Sequence, residues 1–281
     1  MASRSALLLS PPARLVLMSP ILLVILGFFF AIGGLIVSSF SSEGILSLDL
    51  YERLLSSPAT RAVLFRTMWV AAAVTLLCLV LSYPVALFLQ KAKHRNLLLI
   101  LIISPLLTSV VVRTFAWLVV LGNRGALNAL LLGLGILQEP AKIMFTPYAV
   151  VIGLTHILMP FMIISILATL QQQEEELVEA GMSLGAGRLQ TFARVTFPLS
   201  LPGVLSGCSL VYILCAGAIV TPLLLGGVRD RMLGTDIYED IIQLFDFDRA
   251  TGMAVILFVS TMIAVIPIMW AEALIRRRMK G

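Results

Sequence analysis

The chain has 281 residues, of which 59% are hydrophobic and 12% charged, with a formal net charge of +5. An ordinary soluble domain carries about 25% charged residues, so the composition excludes a water-soluble fold and points to an all-α polytopic membrane protein. The positive balance reads as an orientation signal and not as a nucleic-acid surface. Cys78, Cys208 and Cys215 lie singly in apolar runs, without the CxxC or clustered ligands that a disulfide or metal site would need.

Six apolar segments have the length of one tilted transmembrane helix each: Leu15–Ser38, Met68–Leu89, Leu97–Leu121, Pro147–Leu170, Leu201–Leu225 and Gly252–Ile275. The first is too long for a signal-peptide core, and "SSFSSEG" after it is a poor cleavage site, so it reads as a retained helix. Pro84, Pro105, Pro160 and Pro267 fall inside spans, and each removes a backbone hydrogen bond. They either bend helices that line a pathway or reflect the ordinary frequency of proline in membrane helices. Between spans, "RGALNALLLGLGI" (Arg124 to Ile136) is apolar but too short to cross, which places it in the interface or part-way in. "GTDIYEDIIQLFDFDRA" (Gly234 to Ala250) repeats Ile237, Ile241 and Phe245 every four residues, the pattern of an amphipathic helix. That helix is either a solvated cap or a contact for an external partner.

Basic residues set the orientation. With the N-terminus inside, the short "QKAKHRN" hairpin and the "RRRMK" tail fall on the cytoplasmic side, as the positive-inside rule requires. Both termini are then cytoplasmic, and so is "EEELVEAGMSLGAGRLQTFARVTFPLSLPG", the charged island between spans four and five. On a helix, Leu177, Ala180, Gly181 and Leu184 share one side, and the small pair Ala180 and Gly181 lets another backbone approach closely. Gly185 and Gly187 can take positive φ and should turn the chain. A second short helix carries Leu189, Phe192 and Val195; Pro198 should end it, with Ser200 and Pro202 starting span five.

The spacing Glu179-Ala180-Gly181, three residues, Gly185, nine residues, Val195-x-Phe197-Pro198 resembles the E-A-A-x3-G-x9-I-x-L-P signature of ABC-importer permeases. Here Gly181 stands in the place of Ala, Val195 of Ile and Phe197 of Leu. "SPLLTSVVVRTFAW", "GNRGALNALLLGLG", "MFTPYAVVIGLTHILMPFMI" and "TPLLLGG" are further similar, in order, to the first permease of spermidine/putrescine-type importers. The resemblance implies a type I ABC importer permease fold in one domain, 1–281, with core spans over about 62–275 and a coupling loop at 171–200. It implies that Glu179, Ala180, Gly181, Gly185, Val195, Phe197 and Pro198 dock on a partner ATPase. It also implies an ABC ATPase dimer, a second related permease, a periplasmic solute-binding protein, and a place in a bacterial inner membrane.

The chain has no G-x-x-x-x-G-K-[ST] loop, so ATP and its Mg belong on the partner, and no cofactor is expected here. No nucleophile and base are paired as an enzyme would need. For the solute, a polycation calls for carboxylates or aromatic faces at depth, yet "YILCAGAIVTPLLLGG" has Ala218 and Leu223 where acids would be expected. A polyamine, another amine, an opine, 4-aminobutyrate and an aminophosphonate all stay open. Pathway candidates are Arg113, a charge well inside a span, with Trp117 one turn on, and Tyr212 and Thr221. The rival reading is an ion-coupled secondary carrier; it calls for coupling-ion groups or interrupted helices at mid-membrane, and the sequence displays neither.

Overall fold

The computed structural model describes residues 11–42, 45–46, 48–173, 183, 185, 187–228 and 230–280. In chain order they form α1 (Pro11–Phe40), a two-stranded hairpin (Ser41–Ser42 with Ile45–Leu46), α2 (Asp49–Ser56), α3 (Pro58–Lys91), α4 (Arg95–Ile103), a 3-10 turn (Ser104–Leu107), α5 (Val110–Leu121) and α6 (Ala126–Gly133). There follow α7 (Pro147–Leu170), α8 (Arg188–Thr191), a π turn (Phe192–Thr196), α9 (Phe197–Ala216), α10 (Val220–Leu225), α11 (Leu233–Glu239), a second π turn (Asp240–Leu244) and α12 (Phe247–Lys280).

Among the described residues, five stretches are long and apolar enough to cross a membrane: 58–91, 110–133, 147–170, 188–216 and 247–279. Two shorter apolar helices, Ser19–Gly34 and Arg95–Leu107, accompany them. The third expected span, Leu97–Leu121, is therefore not one helix. Pro105 lacks the N–H that would bond the Leu101 carbonyl, and the Ser104 hydroxyl donates to that carbonyl instead, at 2.9 Å. Thr108 satisfies the Pro105 carbonyl from its hydroxyl (2.7 Å), and Ser109 then caps α5 by accepting from the Val111 N–H. The second interruption falls at Gly217 to Ile219, inside the expected fifth span, between α9 and α10. Interrupted helices are thus present after all, and the two segments beyond the breaks, α5 and α10, pack on each other through Thr114 and Thr221, whose hydroxyls lie 3.3 Å apart.

Small residues draw the long helices together. Ala71, Thr75, Cys78, Ser82 and Ala86 form a buried seam on α3. From it Cys78 donates to the Thr155 carbonyl (3.5 Å) and Ser82 to the Met159 carbonyl (3.3 Å) of α7. On α9, Gly203 and Gly207 lie directly against Ser165, Thr169 and Met162 of α7. These contacts make α7 the most buried of the five stretches.

The region expected as one amphipathic helix over 234–250 is divided. Phe245 has φ 55 and stops the second π turn before α12 begins. Ile237 packs with Leu54, Leu233, Met253 and Ile256 in a separate apolar cluster, whereas Phe245 is 71% exposed. Arg66 bonds the Arg231 carbonyl and pairs with Asp230 at 3.7 Å, Arg231 pairs with Glu239, and Arg249 lies 3.5 Å from Asp240. This segment is stapled onto α3 and α12 as a cap.

Candidate functional site

At the bundle end that carries Lys91, three helices meet around the chain that leaves the charged island. Glu179, Ala180 and Gly181 lie outside the described residues. Gly185 has φ +83, a left-handed conformation that glycine adopts without strain. From Arg188 the chain is helical throughout, contrary to the expected stop at Pro198. The π turn is the physical reason: the Phe197 N–H bonds back to the Phe192 carbonyl, five residues away. The ladder is shifted before Pro198, which enters as an early residue of α9 where a missing N–H costs little. Ser200 and Pro202 are accordingly inside α9, not at its start.

The wider turn also stacks Phe192 below Phe197, their ring centroids 6.2 Å apart. Both rings meet Tyr83 of α3, at 5.8 Å edge-on and 5.9 Å tilted. The Tyr83 hydroxyl is 2.7 Å from Oγ of fully buried Ser200, which in turn donates to the Phe197 carbonyl at 2.8 Å. Val195 is half-buried beside them, whereas Leu189, expected on the same face, is 81% exposed. Two glutamines complete the junction: Gln90 of α3 donates to the Leu170 carbonyl at the end of α7 (2.8 Å), and Gln173 donates to the Thr196 carbonyl (3.1 Å). The segment from Arg188 to Phe197 is therefore tied by side-chain contacts to α3, to the end of α7 and to α9. Tyr83, Gln90, Gln173 and Ser200 did not stand out in the sequence reading. Their signal was a tyrosine, two amides and a hydroxyl at the ends of otherwise apolar helices.

The intramembrane candidates separate into two groups. Arg113 sits in the first turn of α5, its Nε and Nη1 enclosed and without a hydrogen-bond partner. One turn on, the Trp117 indole N–H donates to Nδ1 of His156 on α7 at 3.2 Å. This bond requires Nδ1 to be unprotonated, so His156, an exposed residue of α7, is a hydrogen-bonded helix contact. Thr221 is 2% exposed and bonds Thr114 behind this face. Tyr212 is buried elsewhere, its hydroxyl on Sδ of Met68 at 3.2 Å. The structure thus places Arg113, Trp117 and His156 in one region and commits Tyr212 and Thr221 to packing within the chain. Glu272 pairs with Arg276 at 2.8 Å, one turn further along α12. Among the described residues no group of three or more His, Cys, Asp or Glu is arranged to hold a metal.

Comparison with known proteins adds three findings. The family described as "Binding-protein-dependent transport system inner membrane component" matches residues 80–281. The spermidine/putrescine transport system permease protein PotB of Escherichia coli (strain K12) is 39% identical over 225 residues, 79% of this chain and 82% of that protein; PotB of Haemophilus influenzae is 35% identical over 190 residues, 67% and 66% of the two chains. In fold, the chain is similar to a crystal structure of the bacterial alginate ABC transporter in complex with alginate pentasaccharide-bound periplasmic protein, with a TM-score of 0.72 at 18% identity over 91% of this chain and 93% of that one.

Proposed function

The chain belongs to the family of binding-protein-dependent transport system inner-membrane components, and from that premise we propose that it is the permease subunit of an ATP-driven importer for polyamines of the spermidine and putrescine class. It is a multi-pass inner-membrane protein of the ABC transporter type. The observation that carries the solute class is the 39% identity with a spermidine/putrescine permease across about four fifths of both chains. A periplasmic binding protein delivers the solute, and an ATPase pair and a second permease complete the assembly. ATP and Mg act on the ATPase, since this chain carries no P-loop.

In this reading the chain crosses the membrane six times, α1 being the first crossing, with both termini in the cytoplasm as the Lys and Arg bias favours. Residues 171–200 form the coupling loop; Glu179, Ala180, Gly181 and Gly185 meet the ATPase. Val195, Phe197 and Pro198 pass its motion to the spans. The support is mechanical: Phe192, Phe197 and Ser200 are tied to Tyr83, and Gln173 to Thr196, so a push on the loop moves packed helices and not a slack linker. Arg113 and Trp117 border the pathway. The interruption beside them does not favour ion coupling, because the hydroxyls of Ser104 and Thr108 already occupy carbonyls there.

The deciding experiment purifies the chain from its native membrane and reconstitutes what accompanies it into liposomes. An ATPase and a permease should co-purify, and labelled spermidine or putrescine should enter only with ATP and the binding protein. Uptake that persists without ATP would sink the proposal.

A further inference from the structure

The turn between α3 and α4 gathers positive charge that no acid of the chain balances among the described residues. α3 ends at Lys91 and α4 begins at Arg95, so Lys91, Lys93, His94 and Arg95 fall within five positions. Lys91, Lys93 and His94 are exposed, and Arg95 is half-buried. Along the sequence no Asp or Glu occurs between Glu52 and Glu139. In space, the ion pairs among the described residues lie elsewhere, at Arg66, Arg231, Arg249 and Arg276. The turn also has a shape. Ala92, Lys93, His94, Arg95, Asn96 and Leu97 line an open cleft of about 330 Å³, room for a phosphodiester and part of its glycerol. Beside the cleft the surface is apolar: Phe88 of α3 and Leu97, Ile100 and Leu101 of α4 are all exposed. The last three are spaced by three and four and share one helix face. α4 buries no residue fully and carries no charge beyond Arg95. A cationic rim thus runs into an apolar wall, the order in which a bilayer presents headgroups and then acyl chains.

We propose that this turn is a binding site for an anionic phospholipid, whose phosphate enters the cleft while its acyl chains lie on Phe88, Leu97, Ile100 and Leu101. The inference goes beyond the transport reading, since it requires only that the chain resides in a bilayer. Arg95 can meet two phosphate oxygens with its planar fork, and Lys93 adds a point charge from the opposite side of the turn. Each such cation strengthens attachment to an anionic membrane surface by about five-fold. Basic residues beside a span bias its direction however they are arranged. A cleft between two apolar faces adds a place for one lipid molecule. The apolar wall selects the occupant. Free phosphate would use the cations and leave Leu97, Ile100 and Leu101 unused, and an acidic protein surface would leave them facing water.

The test places a fluorophore on N96C, an exposed position in the cleft, and purifies the chain together with whatever accompanies it. Labelling of the chain without N96C corrects for half-buried Cys208; Cys78 and Cys215 are buried. In phosphatidylcholine nanodiscs, brominated phosphatidylglycerol should quench the label at a far lower mole fraction than brominated phosphatidylcholine with the same acyl chains. Lys93→Gln with Arg95→Gln should raise the phosphatidylglycerol fraction needed for half-quenching by roughly 25-fold, two steps of about five-fold. Lys93→Arg, which keeps the charge, should change it little, and so should Arg277→Gln with Arg278→Gln, which removes the same charge from the tail of α12. Equal quenching by the two lipids would overturn the proposal. An equal loss in the tail variant would overturn it in favour of diffuse surface charge, and displacement of the lipid by millimolar inorganic phosphate in favour of a soluble anion. Loss of an accompanying protein from the Lys93 and Arg95 variant, with quenching unchanged, would make the turn a protein contact instead. None of these outcomes depends on uptake, so each leaves the transport reading to its own experiment.

Discussion

Removal of a single oxygen, in Tyr83→Phe, tests whether the junction between α3 and α9 is the rigid link that couples loop to spans. The phenol lies 2.7 Å from Oγ of Ser200, and Ser200 keeps its bond to the Phe197 carbonyl when the phenol is gone. No buried group is left unsatisfied, so the cost is that of one net hydrogen bond, about 1 kcal/mol, or roughly five-fold in a two-state equilibrium. Tyr83→Ala removes the ring as well, and with it two aromatic contacts of about 0.5–1.5 kcal/mol each beyond area burial; the total reaches about 3–5 kcal/mol for truncating a packed aromatic residue. The two variants should therefore separate. Tyr83→Phe should leave ATPase activity intact and lower the solute moved per ATP by a few-fold, while Tyr83→Ala should uncouple hydrolysis from uptake. The assay is ATP hydrolysis and labelled-spermidine uptake measured on the same proteoliposomes. Pairing Tyr83→Phe with Ser200→Ala closes a cycle, in which the double variant should be no worse than the more damaging single one. Fully additive losses would show that the two hydroxyls do not act through each other, and unchanged coupling in Tyr83→Ala would refute the rigid-link argument altogether.

Two further predictions concern packing and pH. A Cβ at Gly203 would stand 2.6 Å from the Ser165 backbone oxygen of α7 and against the Thr169 side chain, so Gly203→Ala should destabilise the bundle by about 1–3 kcal/mol. Gly33→Ala, with nothing within 4 Å, should be neutral or slightly stabilising in the same detergent melting experiment. In the cap, burial holds the Asp240 carboxyl above the ordinary carboxylate range; Arg249 opposes this, while Asp236, Asp246 and Glu239 add to it. A raised folded value means the folded cap binds the proton more tightly than the unfolded chain does. The contribution to stability is then complete below the usual carboxylate value and lost as pH rises through the raised one. Amide exchange across α11 and the following π turn should therefore be slower in mildly acidic buffer than in neutral buffer at matched intrinsic rate, and Asp240→Asn should flatten that dependence. An equal dependence in the variant would remove Asp240 as its source.

Membrane residence and the helical class were legible in the linear chain because each depends on local quantities. Run length decides whether a helix can cross a bilayer, and basic residues beside a span bias its direction. The positive φ at Gly185 follows the same logic, since glycine alone takes that conformation without strain. The broken third span was written there too, in "SPLLTS", but an average over hydropathy cannot see that Pro105 frees one carbonyl and that Ser104 is placed to claim it. The proline stop at Pro198 failed for a related reason. Whether a proline ends a helix depends on the hydrogen-bond register reaching it, and the π turn changes that register two residues earlier.

What the sequence determined by itself was where the chain is apolar, where it is charged and where it must turn. The tertiary structure decided which polar groups meet. Tyr83 and Ser200 are 117 residues apart, and Trp117 and His156 are 39 apart. No local pattern joins such pairs, because contact across helices is set by the rotation and crossing of whole elements, and these follow from small residues such as Ala71, Cys78 and Gly203 packing at the seams. The same packing left Nε and Nη1 of Arg113 without a hydrogen-bond partner, a fact that no count of its charge along the chain could contain.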